Sequence, residues 1–284
     1  MKKVYTYLAG VIAMLLAASC NGDVDFGEQY KKTLYFVDSK NLLHAVDYAY
    51  GAEDNKLLFS VYCASSQPID REVNVLLAVD VRALDSLNTQ RRLENPLYED
   101  KVLLPSFRYE LPAAPTITIR PGARYGTLEL PVTLDGIDAD VAYALPLTIV
   151  SNDAGYDVNP ALRSIVHEIV MINEYTGDYS GSSAEEAGSI RPVLPTMKAI
   201  SANQVRVVVH DMEDNADYLA TNYMLLTIHP NSTVSITPWE SADVQELPGS
   251  FYDRVLQSFE LHYRAAGKVI TEKITNIDAP KIEQ

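Results

Sequence analysis

The chain is poor in cysteine, in positive charge, in tryptophan and in helical periodicity, and each deficit closes off a class of structure or function. Only Cys20 and Cys63 occur among its 284 residues. Cys20 closes an apolar leader, which leaves Cys63 alone, so no intramolecular disulfide is available and folding must rest on core burial. Lysine and arginine number 23 against 38 aspartates and glutamates, a formal net charge of −15 at pH 7. A nucleic-acid partner would need cations to replace the counterions of its phosphates, so that partner class is excluded and neutral partners are favoured. Histidines 44, 167, 210, 229 and 262 show no metal-ligand spacing, and each is expected as a surface or strand histidine. There is no Gly-x-Ser-x-Gly, no glycine-rich phosphate loop and no nucleophile beside a base. The expectation is a protein that is not an enzyme, with no metal and no cofactor.

What is present begins with targeting. Lys2 and Lys3 precede the apolar run Val4 to Ala18, followed by Ser19-Cys20. This is the layout of a secretory signal and is too short to span a membrane. Leu16-Ala17-Ala18-Ser19-Cys20 resembles a lipobox, with Ala17 where leucine is usual. Residues 1–19 are therefore expected as a signal peptide and Cys20 as the lipidated residue. Loss of Lys2 and Lys3 then takes the net charge from −15 to −17. Residues 20–30 form the anchor and a polar tether, in which Asp23 and Asp25 resemble the acidic signal that places Bacteroidetes lipoproteins on the outer face of the outer membrane.

From Thr33 onward the dominant signal is period two. In Thr127 to Leu134, Leu128, Leu130, Val132 and Leu134 share one face and Thr127, Glu129, Pro131 and Thr133 the other, the pattern of a half-buried strand. Similar runs fall at 34–37, 57–63, 73–79, 116–119, 143–150 and 165–172, separated by turns such as Arg120-Pro121-Gly122 and Asp135-Gly136. These predict a β-sandwich over residues 31–173. Cys63 shares the face of Phe59 and Val61 and is expected as a small buried side chain. Val81, Leu84 and Leu87 recur at helical spacing, so a short helix is expected over 81–93, covering an open end of the sandwich.

At Asn173 to Gly181 the composition changes, and Ser182 to Gly188 is small and acidic, which marks a domain boundary. Further strands follow at 193–200, 204–210, 223–229, 233–237, 258–264 and 269–274. Their short connections predict a second antiparallel β domain over 174–284, a meander closing as a barrel or a second sandwich.

Leu104-Pro105, Tyr109-Glu110-Leu111, Thr116 to Gly122, Tyr143-Ala144-Leu145-Pro146-Leu147 and the Asn173 to Gly181 joint stand in the order of a Bacteroidetes family. The chain resembles its outer-membrane lipoproteins, encoded beside polysaccharide-utilisation genes, with an N-terminal immunoglobulin-like sandwich of unknown function and a small C-terminal β domain. Phe251-Tyr252-Asp253 and Phe259 to Arg264 resemble that second domain. The resemblance implies a glycan-capture accessory beside an outer-membrane importer and other surface lipoproteins.

Asp135-Gly136-Ile137-Asp138-Ala139-Asp140 resembles most of the DGxDxDxE signature of family-18 glycoside hydrolases, enzymes to which such sandwiches are sometimes fused. Ala142 stands where the proton-donating glutamate belongs, so no group protonates the leaving oxygen. The segment is expected as a polar turn between strands; it and the acidic run 211–217 lack the glycine and distal glutamate of a calcium loop. The remaining chemistry is aromatic. Sugar rings stack their C–H faces on tryptophan and tyrosine. Of one tryptophan and 18 tyrosines, Trp239 in Thr237-Pro238-Trp239-Glu240-Ser241 and Tyr252 in Gly249-Ser250-Phe251-Tyr252-Asp253 are the expected ligand-binding residues. The expected function is non-catalytic polysaccharide binding at the cell surface; the alternative is a structural or adhesive lipoprotein docking a protein partner.

Overall fold

The computed structural model describes residues 30–186, 188 and 190–278, so the leader, Cys20, Asp23 and Asp25 lie outside the described residues. The first half contains β1 (Thr33–Phe36), β2 (Leu43–Ala49), β3 (Lys56–Ala64), β4 (Val73–Val79), helix α1 (Val81–Glu94), β5 (Val102–Leu103), β6 (Thr116–Ile119), β7 (Tyr125–Pro131), β8 (Tyr143–Asn152), β9 (Asp157–Val158) and β10 (Ser164–Ile172). They build two facing sheets, ordered β7-β3-β1-β9 and β2-β10-β8-β4-β6, with β5 added beside β8. This is the expected sandwich. Alternation explains it: in β3 Leu57, Phe59, Val61 and Cys63 are fully buried, and in β8 and β10 Leu145, Leu147, Ile165 and Ile169 meet them from the other sheet. Truncating one of these side chains to alanine is expected to cost about 3 kcal/mol.

The helix forms where the spacing places it, but it does not cap an open end. Ala83, Leu84 and Leu87 pack on Ala144 of β8 and Val166 of β10, in a small cluster separate from the main core. The helix therefore covers the outer face of the larger sheet, because those two strands bury both of their faces.

The second half contains β11 (Gly177–Glu185), β12 (Ile190–Val193), β13 (Thr196–Ser201), β14 (Gln204–Val208), β15 (Tyr223–Ile228), β16 (Val234–Pro238), β17 (Val244–Glu246), β18 (Phe251–Asp253), β19 (Ser258–Ala265) and β20 (Lys268–Asn276). One sheet runs β16-β15-β14-β13-β11-β20-β19-β17, with β12 beside β11 and β18 beside β19. A bridge from Thr233 to Phe251, with Val234 N–H donating to the Ser250 carbonyl at 3.0 Å, brings its two ends together. The meander therefore rolls into a nearly closed barrel, filled by Tyr179, Phe259, Leu261, Tyr263 and their neighbours.

Most of the small acidic stretch after the joint lies within a strand. Nine residues, Gly177–Glu185, form β11, which pairs with β20 along most of its length and with β12 and β13 on its other edge. Its residues are small because the strands approach closely. A Cβ at Gly181 would lie 1.9 Å from the carbonyl oxygen of Lys273.

Candidate functional site

The turn 135–141 joins β7 to β8, and local bonds fix its shape. Gly136 takes the left-handed conformation that a side chain disfavours (φ +63°). The Arg108 guanidinium donates to the carbonyls of Asp135 and Gly136. Ile137 is 7% exposed and anchors the turn in the sandwich core, and Asp138 Oδ1 accepts from the Asp140 N–H at 2.9 Å. Asp140 is thus held at the surface facing the barrel.

Its carboxylate crosses to the second domain. Arg206 Nη1 and Nη2 donate to Asp140 at 2.7 and 2.5 Å, and Lys198 Nζ lies 3.1 Å away. Lys198 and Arg206 are opposite one another on β13 and β14. The Arg206 side chain is 5% exposed. It tolerates burial because its flat guanidinium forms a two-pronged bond to the carboxylate and stacks on rings, 4.7 Å from the centre of Trp239 and 5.5 Å from that of Tyr223. Tyr223 in turn donates to Asp214 at 2.5 Å. The hydrogen bonds from Arg206, above all, hold the Asp140 carboxyl down at about 2. The turn is polar, as expected, but it is an inter-domain clasp rather than a solvated loop.

Beside the clasp lies a crease of about 320 Å³ between the domains. Asp138, Tyr143 and Met171 line it from the sandwich, and Thr196, Met197 and Lys198 from the barrel. On the same wall Lys101 and Glu168 pair at 2.5 Å with both side chains only 12% exposed. The crease therefore offers hydroxyls and charges set among apolar surface, the make-up of a site for a polar ligand with apolar faces. Among the described residues, no three His, Cys, Asp or Glu side chains are grouped to hold a metal ion.

Of the two aromatic residues expected to bind ligand, Trp239 stands at this clasp, half-buried, with one contact taken by Arg206. Its indole Nε1 is buried without a hydrogen-bond partner. Tyr252 does not present a ligand surface. It is 4% exposed and packs in the barrel core, with ring centres 4.5 Å from Phe259 and 5.0 Å from Tyr175. Alternation along β18 decides this, since Phe251 points outward, 42% exposed, and Tyr252 inward. The structure therefore brings Trp239 to the clasp and places Tyr252 in the hydrophobic core.

Arg206 and Lys198 were missed in the sequence. The available signal was one arginine inside the otherwise apolar run Val205-Arg206-Val207-Val208-Val209. Two histidines are also deeper than expected. His167, 1% exposed, sits in the sandwich core with Nε2 2.7 Å from the Tyr48 hydroxyl, and burial, with a smaller contribution from His44, holds its pKa down at about 4. His210 is 9% exposed at one end of the barrel.

Two family models match successive parts of the chain. One, describing an N-terminal domain, matches residues 30–155, and one describing a C-terminal domain matches residues 163–274. The chain belongs to this two-domain family. The resemblance drawn from the strand, turn and joint residues holds accordingly. Solved Bacteroides structures share the fold across both domains. A multidomain protein including DUF1735 from Bacteroides ovatus is 16% identical with a TM-score of 0.63, over 87% of this chain and 93% of that one. A Bacteroides ovatus protein of unknown function is 18% identical with a TM-score of 0.58, over 85% and 89%. An auxiliary nutrient binding protein from Bacteroides thetaiotaomicron is 16% identical with a TM-score of 0.53, over 82% and 89%. No curated protein matches the chain.

Proposed function

We propose that this family member is a lipid-anchored surface protein, tethered through Cys20 to the outer membrane and facing the exterior, that binds a polysaccharide without cleaving it. It would act as an accessory to an outer-membrane glycan importer, with residues 31–173 as the sandwich domain and 174–284 as the barrel domain. The observation that carries this reading is the crease with the clasp at its side, where an aromatic ring, a stacked guanidinium, hydroxyls and carboxylates meet at a domain junction. Sugars need both kinds of surface, an apolar face for the ring and polar groups for the hydroxyls. The fold it shares with an auxiliary nutrient binding protein of Bacteroides thetaiotaomicron agrees with capture rather than chemistry.

The test is affinity electrophoresis of the chain from residue 21 in gels containing soluble polysaccharides of different classes. Retardation by one class is expected, weakened about fivefold by Tyr143→Ala or Trp239→Ala, the loss of one ring stack. Retardation unchanged in both variants would move the site away from the crease. No retardation in any gel would overturn the glycan reading in favour of protein docking.

A further inference from the structure

The two sheets of the sandwich differ on their outer faces. Helix α1 covers the larger one. On the smaller, β7-β3-β1-β9, outward side chains stay at the surface, with Leu58 52% and Tyr125 62% exposed. Alternation decides which residues these are, since Leu57, Phe59, Val61 and Cys63 of β3 and Leu34 and Phe36 of β1 point into the core. Register then lines up three tyrosines. Tyr35 of β1 stands opposite Tyr62 of β3, and Tyr62 stands opposite Tyr125 of β7. One tyrosine on each of three adjacent strands makes a row across the sheet, with the Tyr35 and Tyr62 ring centres 5.5 Å apart and their planes inclined at 40°.

The neighbours of this row are small. On one side the next outward pair is Thr33 and Ala64, and on the other it is Ser60 and Thr127, whose hydroxyls bond each other at 2.9 Å. The rings therefore stand above their surroundings with hydroxyl groups beside them, which gives a sugar both an apolar face and polar partners. Past Tyr125 the row continues into a hollow of about 370 Å³ lined by Thr118, Arg120 and Thr127. Strands in a sheet lie about 4.8 Å apart, close to the length of one pyranose unit in an extended chain, so successive sugars of one chain can each meet a ring. Tyrosine suits this use because it offers a large, stiff contact at low entropic cost. A second copy of the chain fits the face less well. A stable dimer needs about 800 Å² from each partner, whereas here the aromatic surface is one row deep and gives way to hydroxyls and, beyond Leu58, to the Lys56–Glu129 ion pair at 3.0 Å.

We infer that this row is a second glycan site, a platform on which successive sugars of an extended saccharide chain stack on Tyr35, Tyr62 and Tyr125. It is separate from the crease. β7 starts at Tyr125 and the turn at the domain junction follows its other end, so about 20 Å of strand lies between them. The inference rests on the glycan-binding reading and adds a site to it.

The experiment is affinity electrophoresis of the chain from residue 21 in gels containing hydroxyethyl cellulose, xyloglucan, galactomannan or amylopectin, with sedimentation of the same proteins in the absence of sugar. In the gel that retards the parent, Tyr125→Ala is expected to weaken binding about fivefold, the loss of one ring stack, and Tyr125→Phe to leave it near that of the parent. Tyr125→Ala combined with Tyr143→Ala should lose more than either alone, as two separate sites require. Tyr125 is exposed, so its variants keep the fold, and Tyr62→Ala supplies a second reading of the row. If the parent is retarded and both Tyr125→Ala and Tyr62→Ala behave like it, the platform falls while glycan capture stands. If no gel retards the parent, both fall. A loss in Tyr125→Phe as great as in Tyr125→Ala would show a hydroxyl contact in place of a ring stack and overturn the platform. So would a parent that sediments as a dimer which Tyr125→Ala separates, since the face would then belong to a second copy.

Discussion

The two domains solve the same burial problem with different materials. The sandwich core is aliphatic and aromatic, from Leu34 and Phe36 through Ile169, and among the described residues its one deeply buried histidine is His167. The barrel surrounds its tyrosines and Phe259 with a strand of small residues, and buries Ser183, His210 and Glu272 at one end. A sandwich can fill the space between flat sheets with large side chains from both sides. A closing barrel cannot, because its strands bend toward one another and some must carry almost nothing. The difference predicts where each domain fails.

The largest effect is expected at that crowded strand. In Gly181→Ala the new Cβ meets the Lys273 carbonyl 1.9 Å away, between strands joined along most of their length, so backbone must move. A loss of about 3 kcal/mol or more is expected, read as a drop of the barrel's transition in thermal unfolding. The sandwich has a weaker counterpart in Gly126, where a Cβ would lie 2.4 Å from the Thr118 carbonyl. There the neighbour, β6, is an edge strand of four residues and can shift. Equal losses in the two variants would break the contrast between domains.

The same strand shows where the sequence stops being legible. Period-two runs such as Leu57 to Cys63 declare themselves because a half-buried strand must alternate. Gly177–Glu185 has too few apolar residues to alternate, and its reason for being a strand lies in a partner some ninety positions later, β20. The clasp was hidden in the same way. Asp140 was visible in a motif, but its meaning depends on Arg206, which only folding brings near. Trp239 stood out as a lone tryptophan, while the depth of Tyr252 turned on a one-residue phase in a three-residue strand, which pattern alone does not set.

Acid should separate the domains next. His167 is held down at about 4 in the fold, against 6.5 in the unfolded chain. Its neutral form is the stable one, so its contribution is complete above pH 6.5 and is lost as pH falls toward 4, where the unfolded chain has taken up the proton first. The shift amounts to about 3 kcal/mol. Denaturant midpoints of the sandwich between pH 7 and pH 4 should show this loss, and His167→Leu should flatten it. A sandwich whose midpoint ignores pH over that range would contradict the buried neutral histidine.

The clasp ties these responses together. Asp140→Ala leaves Arg206 buried without its carboxylate and beside Lys198, and with Asp140 partly exposed a cost of about 2 kcal/mol is expected. Two thermal transitions drawn further apart than in the parent would show that the pair couples the domains. An unchanged spacing would reduce it to a local contact.

The smallest effect should carry the opposite sign. Burial pushes the Glu272 carboxyl above its ordinary value, against the hydrogen bonds from Ser183 and Tyr263 that favour its charge. A carboxyl raised in this way is easiest to bury when protonated, so the barrel gains as pH falls toward the ordinary glutamate range and loses as it rises through the folded value. Glu272→Gln keeps an acceptor for Ser183 and removes the charge, so a gain of about 1 kcal/mol at pH 7 is expected, about one hydrogen bond's worth, together with loss of the barrel's response to acid. The parent barrel would then strengthen as pH falls toward the ordinary glutamate range while the sandwich weakens. If the variant is less stable than the parent at pH 7, the charged form is the one the barrel is built around, and the serine, tyrosine and histidine at its mouth are there to hold a carboxylate.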